Sequence, residues 1–546
     1  MLSAACASSP GLIISYNITQ SNIASLRLKA RWSEACVISC DEIISGLGTF
    51  PLLLSITMTN SIIRGNLMDE KNNFTQMVDQ YFANAKTAAA VFSQLDQKQT
   101  DAIVKAVYQA GFKNRIRLAK MAAEETGLGK WQDKVIKNVV ATQFVYEDIK
   151  DQKTVGIIHE DHVSGITEIA QPMGPILAII PVTNPTSTVM FKILVALKSR
   201  NPIIISPSKK ARKCSCEAAR ICYEAAMKAD APENCIQWVE DTSRETTQAM
   251  MTHRSLSLIL ATGGTGLVKS AYSSGTPTIG VGAGNVPVFI EKTADIPFAV
   301  EQIFISKCFD NGTICASEQA IVAEKSVASK VEEEFRRRKG VILSDLQVKQ
   351  LEKIVFDNEK KLMNAEIVGQ PAIAIAQKAG LDVPPDTQLL IAPLKGVGDE
   401  YPISSEILAP VIAYYVADDF EHAVNICIDL NYHGGIGHTV SMFSNDNRKI
   451  NEFSMLMNAG RIVVNTPSSQ GAVGGIFNML SPSLTLGCGT GGKNITTDNV
   501  TAKHLLNIQR IARRRENQRF EKFDKALYFD ETKDADEIEK IYNRNF

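Results

Sequence analysis

The residues best suited to do chemistry are one cysteine, one asparagine and two glycine runs. Cys315 stands in Phe309-Asp-Asn-Gly-Thr-Ile-Cys-Ala-Ser-Glu-Gln, after the turn-forming Asp310-Asn-Gly and before a predicted strand. A thiol at such a turn could act as a nucleophile, although a solitary cysteine is ordinarily a small buried hydrophobe. Its company shifts the reading. Thr262-Gly-Gly-Thr-Gly-Leu-Val-Lys follows a strand pattern and opens a helical one. Backbone amides at such a helix start can meet a phosphate, and an ordinary tight turn accounts for the pattern equally well. Ile279-Gly-Val-Gly-Ala-Gly-Asn places glycine at alternate positions, which implies backbone close to a ligand rather than side-chain packing. Asn184, in Pro181-Val-Thr-Asn-Pro-Thr, follows another apolar strand pattern.

The elements that must position these residues alternate between strand and helix. Helical spacing begins after Met68, a helix near Gln99–Ala110 is predicted to stop at Gly111, and another, Arg115–Thr126, at Gly127. Thr154–Ile169 reads as a β-hairpin. Ile176–Ile180 is a continuous apolar run bounded by Gly174 and Pro181, as in a strand buried on both faces. A helix near Thr188–Lys198, the strand Pro202–Ser206, a helix Cys214–Lys228 and strands at Ile236–Val239 and Leu256–Ala261 follow. This alternation implies a doubly wound parallel α/β sheet, with ligands expected beyond the carboxyl ends of its strands. From Cys308 to about Gly475 a second α/β segment follows. Past Asn494 the chain turns basic around Arg510-Ile-Ala-Arg-Arg-Arg and then acidic, predicting a surface helix and a tail.

Composition sets the outer limits. The 546 residues suffice for two or more domains, and 45% hydrophobic with 21% charged residues suits an ordinary globular protein. A formal net charge of -1 provides no field to recruit nucleic acid or a membrane surface. The 11 cysteines and 7 histidines are dispersed, with no zinc-type spacing, so no metal is expected and reduced thiols in a cytoplasmic compartment are. Residues 1–67 lack clear periodicity and read as an extension outside the fold. Their excess of arginine and lysine keeps organellar import open, whereas the apolar stretch Ile43–Met58 falls short of the roughly 20 residues a membrane span needs.

From about Met68 to about residue 529 the chain resembles the CoA-acylating acetaldehyde dehydrogenase half of bifunctional aldehyde–alcohol dehydrogenases, within the aldehyde dehydrogenase superfamily. The matching stretches include Asp133-Lys-Val-Ile-Lys-Asn, Thr183-Asn-Pro-Thr-Ser-Thr, Ala271-Tyr-Ser-Ser-Gly, Gly280-Val-Gly-Ala-Gly-Asn, the Cys315 segment, Asn465-Thr-Pro-Ser-Ser-Gln-Gly and Ser483-Leu-Thr-Leu-Gly-Cys-Gly. The resemblance implies the aldehyde dehydrogenase fold: a Rossmann-like NAD-binding domain mainly over 68–307, a catalytic domain over 308–475, a bridging and oligomerisation hairpin near 154–169, and a return segment and tail over 476–546. It implies Cys315 as nucleophile and the Asn184 amide, with the Cys315 N–H, as oxyanion hole. Val182, Thr183, Asn184, Pro185, Thr186, Ser187, Gly264, Gly282 and Leu486 match cofactor-lining positions, and Glu406 matches the carboxylate that holds the nicotinamide ribose. His438, in Gly-Gly-Ile-Gly-His-Thr, matches a family histidine that reads equally as a helper in thiol chemistry or as a structural residue.

One departure bears on the product. Hydrolytic members carry a glutamate just before their paired glycines, where this chain has Thr278 and Ile279. Without a base for water, the enzyme thioester should await a thiol. The expected reaction is therefore acetaldehyde + CoA + NAD⁺ ⇌ acetyl-CoA + NADH + H⁺. A hydrolytic enzyme using another base such as Glu318, and an inactive scaffold retaining the fold, are the alternatives. NAD is the expected cofactor. NADP stays open because Lys209, Lys210 and Arg212 follow the second strand where a ribose-binding carboxylate is missing. An aldehyde, CoA and further copies of the chain are the expected partners. Relatives of this kind continue into an iron-dependent alcohol dehydrogenase, and neither alcohol formation nor an iron site is expected from these residues.

Overall fold

The computed structural model describes residues 75–357 and 362–544, so the expectations for residues 1–67 lie outside the described residues. A helix over 75–92 leads into helices Gln97–Lys113, Arg115–Thr126 and Trp131–Val139. Asp96 and Gln99 cap the first turn of Gln97–Lys113 reciprocally. That helix runs through Gly111 instead of stopping there. Gly111 is buried, and a Cβ on it would stand 2.9 Å from Met190 Sδ, so the glycine admits a neighbouring helix. Gly127 does end its helix, in the left-handed conformation.

Strands β1 (Gly156–Asp161) and β2 (Ile166–Pro172) form the anticipated antiparallel hairpin. β3 (Ile176–Ile179), β4 (Ile203–Ser206), β5 (Ile236–Trp238), β6 (Leu258–Thr262) and β7 (Thr278–Val281) then form a parallel sheet in the order β5-β4-β3-β6-β7. Apolar clusters cover both faces, and the helix Pro185–Lys198 is buried along its whole length. Strand order reverses between β3 and β6. The turns leaving those strands, which carry Asn184 and Gly264, therefore flank a single crevice.

The second sheet contains β8 (Val286–Ile290), β9 (Glu318–Glu324) and β10 (Gly340–Ile342). After a short ribbon, β11 (Phe356–Asp357) with β12 (Leu362–Met363), come β13 (Leu389–Pro393), β14 (Val411–Ala417), β15 (Gly437–Phe443) and β16 (Ala459–Val464). The seven long-range partners lie parallel in the order β10-β13-β14-β9-β8-β15-β16. β8 and the helix Ile296–Lys307 thus belong to this second sheet and its core, although the sequence reading grouped them with the first segment up to 307. The glycine-rich stretch 282–285 is the crossing between the sheets.

β17 (Leu506–Ala512) corrects a second expectation. The start of the basic stretch, through Ala512, is strand, paired antiparallel with β2 from Leu506↔Pro172 to Ala512↔Ile166, and the surface helix comes only later, over Ala535–Arg544, with no buried residue. Its charges stay in solvent or find β2 side chains, with Arg510 2.8 Å from Glu168. The partner strand, remote in sequence, decides its conformation over local propensity. No helix among the described residues is long and apolar enough to cross a membrane.

Buried Asn201 ties this returning segment to the first sheet. Its Oδ1 accepts from the Met173 and Gly174 amides at 2.7 and 2.9 Å, and its Nδ2 donates to Leu505 O at 2.8 Å and Ser199 Oγ at 2.9 Å. Asn201→Ala would leave several buried groups unpaired, at about 1–3 kcal/mol each. We expect a loss of roughly 3 kcal/mol in a urea titration, and an unchanged midpoint would show that these bonds contribute nothing net.

Candidate active site

Cys315 reaches its position through a contorted turn. After the helix Ile296–Lys307 the chain passes through a short helical turn, Phe309–Gly312, in which Asp310 and Asn311 have φ of 48° and 52°. Two consecutive non-glycine residues in this region persist only where their surroundings over-determine them. Here the Asp310 N–H donates to Asp133 Oδ2 at 2.7 Å, and Asp310 Oδ1 accepts from the Lys130 amide at 2.7 Å. Asp310 Oδ2 accepts from Lys134 Nζ at 2.9 Å and from Lys137 Nζ. Asn311 Nδ2 donates to Gly369 O at 2.9 Å. Cys315 follows at the turn into β9.

Asn184 starts the helix Pro185–Lys198, yet its side chain caps nothing. Its Oδ1 accepts from Lys137 Nζ at 2.5 Å, and its Nδ2 approaches Thr183 Oγ1 at 3.1 Å and Thr313 O at 3.4 Å. Asn184 and Cys315 line one cavity together with Lys137, Thr188, Thr262, Val281, Phe309, Ile314, Ile476, Leu484 and Leu486. The cavity is largely apolar with a few convergent polar groups, and it sits beyond the carboxyl ends of β3, β6 and β7, where a doubly wound sheet binds its ligands.

The remaining sequence-predicted residues divide. Leu486 lines the cavity, Thr183 precedes the cavity residue Asn184, and Val182, partly exposed, packs against Ala122, Ala211 and Cys214. Gly264, at the start of the helix Thr265–Tyr272, and Gly282, after β7, have no other atom within 4 Å of the place a Cβ would take. Pro185, Thr186 and Ser187 are buried in the first helical turn, off the cavity wall, and Thr186 Oγ1 donates to Asn138 Oδ1 at 3.0 Å. Of the three alternating glycines, only Gly282 faces open space. A Cβ on Gly280 would meet Tyr272 and Val268 at 2.9 Å, and one on Gly284 would lie 2.4 Å from Cys315 O and 3.0 Å from the His438 ring. Two of the three are therefore there for close protein packing, against the sequence expectation.

Glu406 Oε1 accepts from the Gly284 amide at 2.9 Å, and burial lifts its carboxyl to about 7. His438 is fully buried. Its Nδ1 pairs with Thr439 Oγ1 at 3.0 Å, its Nε2 has no partner, and burial followed by the Arg461 charge lowers it to about 3. A neutral ring outside the cavity wall suits a structural role better than proton transfer at neutral pH. Arg461, which sequence reasoning missed, donates at 2.7 Å to both His438 O and Gly487 O. Lys134, Lys137 and Asp310 were missed as well. Their signals were the three-residue spacing of two lysines on one helical face and the place of all three residues in stretches that carry the resemblance.

Burial is the main cause that raises the Cys315 thiol to about 12, with Glu406 and Cys488 adding to it and Arg461 opposing. The resting group is the thiol. Iodoacetamide labelling of the Cys315 peptide, followed by mass spectrometry, should therefore be slow at pH 7 and rise roughly tenfold per pH unit up to pH 10, because the thiolate is the nucleophile. Glu406→Gln should accelerate labelling at pH 8 a few-fold by removing a negative neighbour. A rate already maximal at pH 7 would contradict this electrostatic picture.

Comparison with known proteins agrees with this geometry. Residues 65–478 match the aldehyde dehydrogenase family. The bifunctional aldehyde-alcohol dehydrogenase of Escherichia coli K12 is 46% identical over 448 residues, 81% of this chain and 50% of that protein. The chain thus spans about half the length of that curated relative, and a similar share of the aldehyde-alcohol dehydrogenase of Clostridium acetobutylicum, at 44% identity. The crystal structure of an acetylating aldehyde dehydrogenase from Geobacillus thermoglucosidasius superposes with a TM-score of 0.79 at 45% identity, covering 82% of this chain and 98% of that one. A propionaldehyde dehydrogenase from Rhodopseudomonas palustris, solved with bound CoA and an acylated cysteine, gives 0.72 at 26% identity over 80% of this chain and 97% of that one. By the extent of the family match and these identities, the chain belongs to the aldehyde dehydrogenase family.

Proposed function

We propose that the chain is a CoA-acylating aldehyde dehydrogenase that interconverts a short-chain aldehyde, acetaldehyde foremost, CoA and NAD⁺ with the acyl-CoA and NADH. One observation carries this reading: among the residues lining the cavity around Cys315 there is no carboxylate and no histidine. Thr278, near where hydrolytic relatives place their base, donates its hydroxyl to Ala271 O and Thr276 O. Glu318, the alternative base, accepts from the Ser468 amide through Oε1 and lies off the cavity wall. Water has no activator here, whereas a thiol needs less activation.

In the first step the Cys315 thiol ionises and its sulfur adds to the aldehyde carbon, forming a thiohemiacetal. Charge develops on the former carbonyl oxygen, where Asn184 Nδ2 and the Cys315 N–H serve as donors. NAD⁺, when bound, would supply the acceptor for the hydride lost from that carbon, which leaves a thioester on Cys315. The CoA thiolate then adds to the thioester carbon and expels the Cys315 thiolate, releasing acyl-CoA. In the reverse direction Cys315 attacks acyl-CoA.

The residues present fit a dinucleotide. Gly264 and Gly266 leave free space over the start of the helix Thr265–Tyr272, where backbone amides favour a phosphate. Gly282, Val182, Thr183 and Leu486 would line the cofactor, and Glu406 would hold the nicotinamide ribose hydroxyls. NAD is the preferred cofactor. Glu125 already occupies the amides of Lys213 and Cys214 at 2.8 and 2.7 Å, placing a carboxylate where a 2′-phosphate would seek donors. Two further readings accompany the enzyme. The eight described cysteines are all unpaired, as suits a reducing cytoplasm. Ile157 and Val163 stand exposed on the β1–β2 hairpin, as suits a homo-oligomer.

NADH formation from acetaldehyde should rise at least about tenfold on adding CoA, since only a thiol clears the enzyme thioester efficiently. Full activity without CoA would reject the acylating reaction. Asn184→Ala should lower kcat by about 10²–10³, as loss of one oxyanion donor does. Cys315→Ser should abolish turnover, and retained activity would move the nucleophile elsewhere.

A further inference from the structure

Asp133-Lys-Val-Ile-Lys-Asn, which the reaction above leaves without a task, lies in the helix Trp131–Val139 and places Lys137 on the cavity wall beside Asn184. We propose that Lys137 is a positioning residue whose ammonium fixes the orientation of the Asn184 amide and so determines that an N–H, and not the carbonyl, faces the reacting oxygen. The inference rests on the oxyanion role proposed for Asn184.

The two ends of an asparagine amide are nearly isosteric, and only their partners decide which way it turns. An ammonium has donors and no acceptor. Its three donors here are all taken, by Asn184 Oδ1 at 2.5 Å, Thr313 Oγ1 at 2.9 Å and Asp310 Oδ2. A flipped Asn184 would turn its NH₂ toward the ammonium and lose a charge-assisted bond worth about 1.5–3 kcal/mol. It would also present its carbonyl to a developing negative charge. A cation on Oδ1 further draws density from the amide and strengthens Nδ2–H as a donor.

The surroundings keep Lys137 charged. Burial alone would favour the neutral amine, and Lys134 adds repulsion. Asp310, assisted by Asp133, offsets this and holds the amine at about 8, so it is protonated at neutral pH. Lys134 also binds Asp310, which leaves that carboxylate paired if Lys137 is removed. Thr313 contributes at both ends, since its hydroxyl accepts from Lys137 and its carbonyl lies 3.4 Å from Asn184 Nδ2.

The test is a double-mutant cycle on CoA-dependent acetaldehyde oxidation with NAD⁺, run on the full chain, with thermal midpoints measured alongside. Lys137→Met should lower kcat by roughly 30- to 100-fold while the aldehyde KM stays within about threefold, as expected when oxyanion stabilisation alone is damaged. Lys137→Gln, which can still donate but also accept, should lose roughly tenfold. In an Asn184→Ala background either change should cost less than about threefold more, because its target is already gone. Losses that multiply across the cycle, or a folded Lys137→Met with kcat within twofold of the wild type, would overturn the inference alone. Unfolding of both lysine variants would make Lys137 a folding residue and overturn it too. A wild-type chain inactive with acetaldehyde, CoA and NAD⁺ would remove the proposed reaction, and this inference with it.

Discussion

One buried carboxylate, Asp310, joins the parts that the site requires. It receives the ammonium groups of Lys134 and Lys137 from the helix Trp131–Val139 and the amide of Lys130 just before that helix. Through its own backbone it begins the turn that delivers Cys315 to β9. The helix precedes the first sheet in the chain and Cys315 enters the second, so this anion couples elements from opposite sides of the crossing. Three charges out of water are tolerable only because they compensate one another. Removing such an anion would leave two uncompensated cations, a change typically costing about 3–5 kcal/mol. The left-handed pair Asp310–Asn311 is strain held in place by this pairing.

A second constraint acts at the crossing between the sheets. Gly284 admits Cys315 O and the His438 ring on one side and gives its amide to Glu406 on the other. Next to it, Asn285 Nδ2 donates to both Ser404 O and Leu430 O. A stretch of four residues thus fixes the nucleophile's backbone, the buried histidine and the carboxylate against one another. Side chains at 280 or 284 would separate layers that must touch. This explains why the glycines there are mostly about packing, whereas Gly264 and Gly282 leave room for a ligand.

Much of this was legible before any coordinates. Apolar runs such as Ile176–Ile179 and Ile203–Ser206 marked strands covered on both faces, and the turn residues after them located the crevice. Cys315, Asn184 and Leu486, three residues singled out from sequence, line one cavity. What stayed hidden depended on partners remote in sequence. β17 is a strand because β2 offers it an edge, and nothing in Arg510-Ile-Ala-Arg-Arg-Arg announces that. Val286–Ile290 was not singled out as a strand, and its sheet is set by pairing with β9 and β15. Lys134 and Lys137 had no role assigned from sequence, because their anion lies over 170 residues away.

The state of the thiol ties the site to its product. Burial and the Glu406 carboxylate disfavour the Cys315 thiolate, and the Arg461 cation offsets this only in part. The same bias applies when Cys315 must leave. A thiolate whose conjugate acid is weak departs reluctantly, so its thioester is slow to yield to a poor nucleophile. With no carboxylate on the cavity wall to deprotonate water, hydrolysis is slowed by an unactivated attacker. A thiolate brought by a cosubstrate needs no base at the moment of attack, so the missing base slows hydrolysis and spares acyl transfer to sulfur. The missing base thus favours passing the acyl group to sulfur over losing it to water, while the raised Cys315 thiol makes its departure reluctant with either acceptor.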